Sequence, residues 1–351
     1  MDIKLLKNIC ETPGAPGFEK PIRDLVIDTI KNIVDDIRVD NLGNVVVLKE
    51  GTKPKADRKK MMVAAHMDEI GFIVTHVDDN GFVRFHTLGG FDPKTLTSQR
   101  VIIHGKKDLV GVMGSKPIHV MSPEERTKSV KITDFFIDLG MDAKEVKKHI
   151  RVGDPITRNR ELIEMGDCVN CKSLDNRVSV FILIETLKKL KDKSIDHDFY
   201  AVFTVQEEVG LRGANVATHS IDPDFGLGLD TTIAYDVPGA SPHEYITKLG
   251  KGTAIKIMDS SAIADPRMVK FLQEIASEEN IEWQNEVLTG GGTDTASIQR
   301  SGKNGAIAGA ISIPTRHIHQ VIEMVHKNDI ESSIKLLASA IQKIGSYNWK
   351  H

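Results

Sequence analysis

The chain has 351 residues, 40% hydrophobic and 27% charged, which exceeds one small module and supplies ample material for a buried core. Lysine plus arginine total 46 against 49 acidic residues, a net charge of −3, so nucleic-acid binding through bulk positive charge is excluded, as is disorder as the dominant state. Three cysteines are too few for a disulfide framework, no apolar run is long enough for a membrane span, and the first residues lack the apolar segment of a secretory signal, so a soluble, cytoplasmic protein is predicted.

Residues 3–10 and 19–33 carry helical spacing, with Ile22, Leu25, Val26, Ile30 and Ile33 forming one apolar stripe. The Thr-Pro-Gly-Ala-Pro-Gly run at 12–17 separates them as a loop. Segments 45–48 and 61–65 read as strands, the second apolar throughout, as a central strand is. From about 70 to 160 the texture changes to short β-like runs at 71–77, 81–86, 100–104 and 110–112, with Asn80-Gly81 as a hairpin turn and a short helix at 142–149. Past about 165 the α/β pattern resumes: helix 176–190, strands 199–205 and 224–229, helix 266–279, strand 306–311 and a closing helix over 328–344. The expected fold is a layered α/β domain formed by 1–68 and 165–351, with a small β-rich domain, 70–160, inserted into it.

The informative residues are acids and histidines at element ends. His66-Met67-Asp68 follows the apolar strand, and Asp68 is placed to accept the second ring N–H of His66 and fix its tautomer. Gln206-Glu207-Glu208 follows another apolar strand. Adjacent carboxylates at a buried strand end repel, and a bound cation relieves them; one acid then ligates while its neighbour stays free as a general base. Asp175, just before a helix, and Asp230, at the end of a short strand, add two more acids, and His317-Ile-His319 adds imidazoles. Singly, each has an ordinary explanation: a turn, an acidic helix start, an N-cap, a solvated loop. Together His66, Asp175, Glu208, Asp230 and a histidine at 317 or 319 form a nitrogen and carboxylate set suited to a pair of divalent transition metals.

HMDEIGF, SLDNRV, QEEVGLRGA, GLD, GGGTDTASIQ and PTRHIH, in this order, resemble the tetrahedral aminopeptidases, metallopeptidase family forty-two, over nearly the whole chain. The resemblance implies a dinuclear metallo-aminopeptidase that removes N-terminal residues from peptides, with zinc or cobalt as the ions and a metal-activated water as nucleophile. It implies His66 and Asp230 as ligands of one ion, Asp175 as the bridge, and Glu208 and His319 as ligands of the other; His317 stands where relatives carry an aromatic residue. Glu207 becomes the general base, Asp68 the residue orienting His66, and Asp294 a candidate for orienting substrate. The resemblance also implies an unusual, cis peptide bond after Asp175, a dimerisation role for 70–160, and dimers assembled into a hollow twelve-subunit tetrahedron.

Weaker signals resolve against other chemistries. Cys168-Val-Asn-Cys171 has no second pair to complete a zinc site and reads as two reduced, packed thiols. Gly290-Gly-Gly-Thr-Asp-Thr lacks the spacing of a nucleotide loop. The alternative is a glycoside hydrolase, because some relatives are called endoglucanases; that chemistry needs an aromatic-lined cleft, and aromatics are 5% here with two tryptophans. A metal-binding protein without activity is the third class, and an intact Glu207 beside a ligand argues against it.

Overall fold

The computed structural model describes residues 1–350. Lys60–His66 lies inside the main sheet, buried at every residue after its first. It pairs in parallel with Asp198–Thr204 on one side and Phe225–Ile233 on the other, and the latter pairs in parallel with Ile307–Arg316. Both faces of these four strands are covered, so they read as continuous apolar runs instead of alternating ones. Antiparallel strands extend the sheet: Val45–Lys49 and Asp36–Val39 at one edge, Glu323–His326, Cys168–Cys171 and Ile163–Met165 towards the other. Thr253–Met258 and Trp283–Val287 branch from Ile307–Arg316 and complete eleven strands.

Helices Ile3–Glu11, Lys20–Ile30, Leu174–Leu190, Pro266–Glu278 and Lys327–Lys343 pack their apolar residues into one large core on one face of the sheet. Arg212–Ile221 and Asp294–Arg300 cover the other face through Ala217, Ile221 and Ile298. This is the layered α/β arrangement expected from the sequence.

The inserted unit is a closed six-stranded barrel in the order Gly71–Val77, Val83–Leu88, Phe136–Asp138, Asp108–Gly114, Arg100–His104, Pro155–Arg158. It has its own core, built on Phe72, Val101, Ile103, Ile137 and Ile156. The Asn80-Gly81 hairpin forms because the Asp78 carboxylate accepts the N–H groups of Asn80 and Phe82, both at 2.9 Å, while Gly81 takes φ +94°. The barrel's first and last strands pair, Phe72 opposite Ile156. The chain therefore leaves the sheet after His66 and returns beside its exit, so the insertion does not separate the residues on either side of it.

Several elements differ from expectation. The short strands 163–165, 168–171, 253–258, 283–287 and 323–326 and the helix 212–221 carry no clear signal in the sequence. The strand expected to stop at 229 runs to Ile233, which puts Asp230 inside it. Its pairing with Lys60–His66 ends at Gly228, two residues before Asp230, which stays paired with Ser312 on its other side and lines the cavity described below. Because Cys168–Cys171 is a strand, its two thiols diverge: Cys171 packs against Cys10, while Cys168 is half-buried elsewhere. No helix among the described residues is long and apolar enough to cross a membrane.

Candidate metal centre

The acids and histidines meet at the carboxyl ends of the parallel strands, where open α/β sheets leave a crevice. His66 closes its strand, and Glu207 and Glu208 follow Asp198–Thr204 after a turn begun by Gln206 at φ +54°. The turn closes on Gly210, whose φ of +122° requires glycine, and the N–H groups of Gly210 and Leu211 both return to the Glu207 carbonyl at 2.9 Å. Asp175 starts Leu174–Leu190 with non-helical backbone, and the Asp175-Asn176 bond is cis. His319 reaches the same point from a loop after Ile307–Arg316, at φ +63°, while His317 in that loop is exposed.

The two oxygens of Asp175 face two different imidazoles: Oδ1 lies 3.4 Å from His66 Nε2 and Oδ2 lies 3.4 Å from His319 Nε2. Around His66 Nε2 stand Asp230 Oδ1 at 3.7 Å and Glu207 Oε2 at 3.8 Å. Glu208 Oε2 is 3.4 Å from His319 Nε2, and its second oxygen is buried without a partner. Ligand atoms of His66, Glu207 and Asp230, and of His66, Asp175 and Glu208, each fall within 4.8 Å of one another. An oxygen and imidazole set of this density, with a buried carboxylate oxygen unsatisfied, fits divalent cations.

His66 Nδ1 sits 3.1 Å from the Asp68 carbonyl oxygen and 3.5 Å from its carboxylate, so the proton belongs on Nδ1 and Nε2 is the nitrogen free to coordinate. The shorter contacts of the Asp68 carboxylate go elsewhere: it accepts the N–H of Glu207 at 3.0 Å and of Glu208 at 3.1 Å. Glu19, fully enclosed, accepts the Gln206 N–H at 3.1 Å and steadies the same turn. Asp294 does not line the cavity described below, as a substrate-orienting group would. It is buried behind Thr293, with one oxygen taking the Thr204 hydroxyl at 2.5 Å and the other unpartnered.

Electrostatics say what this ring lacks. Burial pushes the carboxyls of Glu207, Glu208 and Asp230 above their ordinary range, with the negative charges of their neighbours adding to it. Burial opposes charge on His319 as well, but Glu208 and Asp175 overcome it and raise the imidazole to about 11. Burial likewise opposes a charged Asp175, and the two histidines outweigh it and hold that carboxyl well below the usual range. More carboxylate is gathered than the two imidazoles neutralise, and divalent cations would supply the missing positive charge.

The ring lies in a cavity of about 550 Å³. Its remaining walls include Leu211, Ile233, Leu288 and Ile318, the backbone of Gly291 and Gly292, and Lys256. Among the described residues, no Phe, Tyr or Trp side chain lines it. Lys256, unnoticed in the sequence, is buried with its ammonium 3.0 Å from Asp259 and 3.4 Å from Glu286. The available signal was a lone lysine amid the apolar residues of Thr253–Met258.

The family model for M42 glutamyl aminopeptidases matches residues 43–336. The chain belongs to the M42 peptidase family. This M42 peptidase is 32% identical to the lysyl aminopeptidase of Pyrococcus furiosus over 98% of each chain. Among solved structures it resembles an aminopeptidase of the archaeon Desulfurococcus kamchatkensis, with a TM-score of 0.92 and 40% identity over 97% of this chain and 94% of that one. It also resembles a TET peptidase of Pyrococcus horikoshii that can assemble into a tetrahedron or a large octahedral shell, with a TM-score of 0.86 and 32% identity over 97% of this chain and 98% of that one. The M42 peptidase is thus a peptide hydrolase with aminopeptidase function.

Proposed function

We propose that this M42 peptidase is a dinuclear metal-dependent aminopeptidase in which His66, Asp175, Glu208, Asp230 and His319 hold two divalent ions, zinc or cobalt. The observation that carries the reading is Asp175, whose two oxygens face His66 and His319 at the same 3.4 Å, a placement from which it would be shared between two ions. When bound there, such ions would supply Lewis acidity for the scissile carbonyl and for a water. Glu207 reaches towards His66 and lines the cavity, and its backbone is fixed by Asp68. From there its carboxylate takes the proton of the attacking water and delivers it to the leaving amine. Asp294 stands close enough for its charge to act on Glu207, which supports a supporting role for Asp294 behind the base.

Leu211, Ile233, Leu288 and Ile318 give the cavity an aliphatic portion beside its threonines and glycines, and the Lys256 ammonium is already engaged by Asp259 and Glu286. Both features support peptides with a neutral, leucine-like N-terminal residue as substrates. The reading extends to assembly. Residues 70–160 are taken as the dimerisation domain and 1–68 with 165–351 as the catalytic domain. Val110, Val112, Ile118 and Val120 of the barrel region are exposed and apolar, as a subunit contact requires. With the tetrahedral assembly of the Pyrococcus horikoshii neighbour, this supports dimers assembled into a tetrahedral dodecamer. Three free cysteines support a reducing compartment, such as the cytoplasm, for the enzyme.

The test is a panel of aminoacyl chromogenic substrates and N-terminally blocked controls, given to metal-stripped protein with Zn²⁺, Co²⁺ or Mn²⁺ added. Activity that returns with two ions per subunit, fastest on leucine-like residues and absent on blocked peptides, is the expected result. Metal-independent turnover would refute the reading.

A further inference from the structure

Asp68 is not the only buried carboxylate that grips the backbone of this site. Glu323 opens the strand Glu323–His326 and is completely enclosed. Its Oε2 accepts the N–H of Asp175 at 2.9 Å, and its Oε1 accepts the N–H of His319 at 3.0 Å. One side chain therefore ties together two residues that arrive from distant parts of the chain and whose side chains meet at 3.4 Å. We propose that Glu323 is a positioning residue for the metal centre, setting the Asp175–His319 separation through their backbones. The proposal rests on the reading of Asp175 and His319 as ligands.

The local structure shows why such a device is needed. Asp175 lies in non-helical backbone at the start of its helix, and His319 lies in a loop at φ +63°, a region unfavourable to a residue with a Cβ. Neither has a strand ladder to fix it, as His66 and Asp230 do. A carboxyl group that accepts one N–H on each of its two oxygens fixes both backbones at once. Asp68 does the same for Glu207 and Glu208. Two non-ligand carboxylates thus hold the four site residues that follow or precede regular structure.

The counter-charge comes from the barrel. Arg158 ends Pro155–Arg158, is buried, and has no hydrogen-bond partner on any guanidinium nitrogen. Its positive charge acts on Glu323, and its guanidinium stands 5.9 Å from the Phe91 ring. The inserted unit in this way lends positive charge to the residue that grips the site, although it contributes no ligand.

Glu323→Gln is the informative substitution. The amide keeps one acceptor and turns a donor towards the other N–H, so one of the two bonds is lost. The variant is expected to bind the second Co²⁺ about 10–100-fold more weakly, the usual cost of removing a group that orients a ligand. The visible bands of bound Co²⁺ should shift, kcat should fall, KM should stay near its original value, and metal-free protein should melt as before. Glu323→Asp, which keeps the charge, should recover part of the affinity. Wild-type Co²⁺ affinity, spectrum and kcat in Glu323→Gln would overturn the proposal. If that variant does not fold, hydrogen exchange in the unsubstituted protein decides. Slow exchange across residues 317–321 supports an accepted His319 N–H, and exchange as fast as an exposed loop overturns it. A His319→Ala variant with undiminished Co²⁺ binding would instead sink the ligand assignment on which the proposal rests, and the proposal with it.

Discussion

The two halves of the metal ring use the same donor chemistry and hold it by different means. His66 and Asp230 sit on strands of the main sheet, nearly enclosed, and their backbones are fixed by the strand ladder. Glu208 and His319 sit on turns, His319 with 36% of its side chain exposed, and they depend on the carboxylates of Asp68 and Glu323 for their placement. The sheet provides one half as a consequence of folding. The other half has to be assembled by side-chain-to-backbone hydrogen bonds. The first should tolerate loss of metal without rearrangement; the second should carry most of the site's mobility and of its sensitivity to substitution around it.

Asp175 belongs to both halves, so its loss should have the largest effect. Asp175→Ala removes the carboxylate facing both imidazoles and is expected to lose both ions in elemental analysis. The several kcal/mol that the ions supply correspond to a fall in kcat/KM on the order of 10³-fold or more. If that variant keeps both ions, the halves are not joined through Asp175.

Single-half substitutions sharpen the contrast. His66→Ala strips the partner from a group of enclosed carboxylates, and breaking a buried pair costs about 3–5 kcal/mol. His319→Ala removes a partly exposed partner, for which about 1 kcal/mol or less is expected. Denaturant unfolding of the metal-free variants measures both, and equal losses would erase the distinction. Both variants should lose activity, but only His319→Ala should keep one ion with a stability close to that of the parent. The smallest effect is expected of His317→Ala. That imidazole is exposed, so metal content and kcat/KM should match the parent protein, and a drop in either would return His317 to the site.

The same contrast explains what was legible in the sequence. His66, Glu207 and Glu208 follow long apolar strands whose ends can be read within a residue or so, because strands covered on both faces leave uninterrupted apolar runs. The sequence pattern places Asp230 at a strand end, and it lies inside a longer strand, because residues 230–233 go on pairing with 312–315, a partner far away in sequence. Glu323 left only one acid in an apolar run, Val321-Ile-Glu-Met-Val325, on a four-residue strand too short to show a period. Its importance lies in two backbone N–H groups far away in sequence. The choice between His317 and His319 was open on the residues alone, since both take left-handed backbone and differ in direction only once the loop is folded. The barrel was visible as a change of texture, but its closure depends on the pairing of 71–77 with 155–158, a strand that carried no signal of its own.

The central claim is that the ring separates holding the ions from moving the proton, with Glu207 in the second role. Glu207→Gln keeps the shape of the side chain and the backbone bond to Asp68 but cannot accept a proton. Metal content by elemental analysis and kcat on a leucyl substrate, measured on the same preparation, test the claim directly. Two ions per subunit with kcat lowered about 10²–10⁴-fold, the usual contribution of a general base, is the predicted result. Full metal occupancy with kcat unchanged would contradict it.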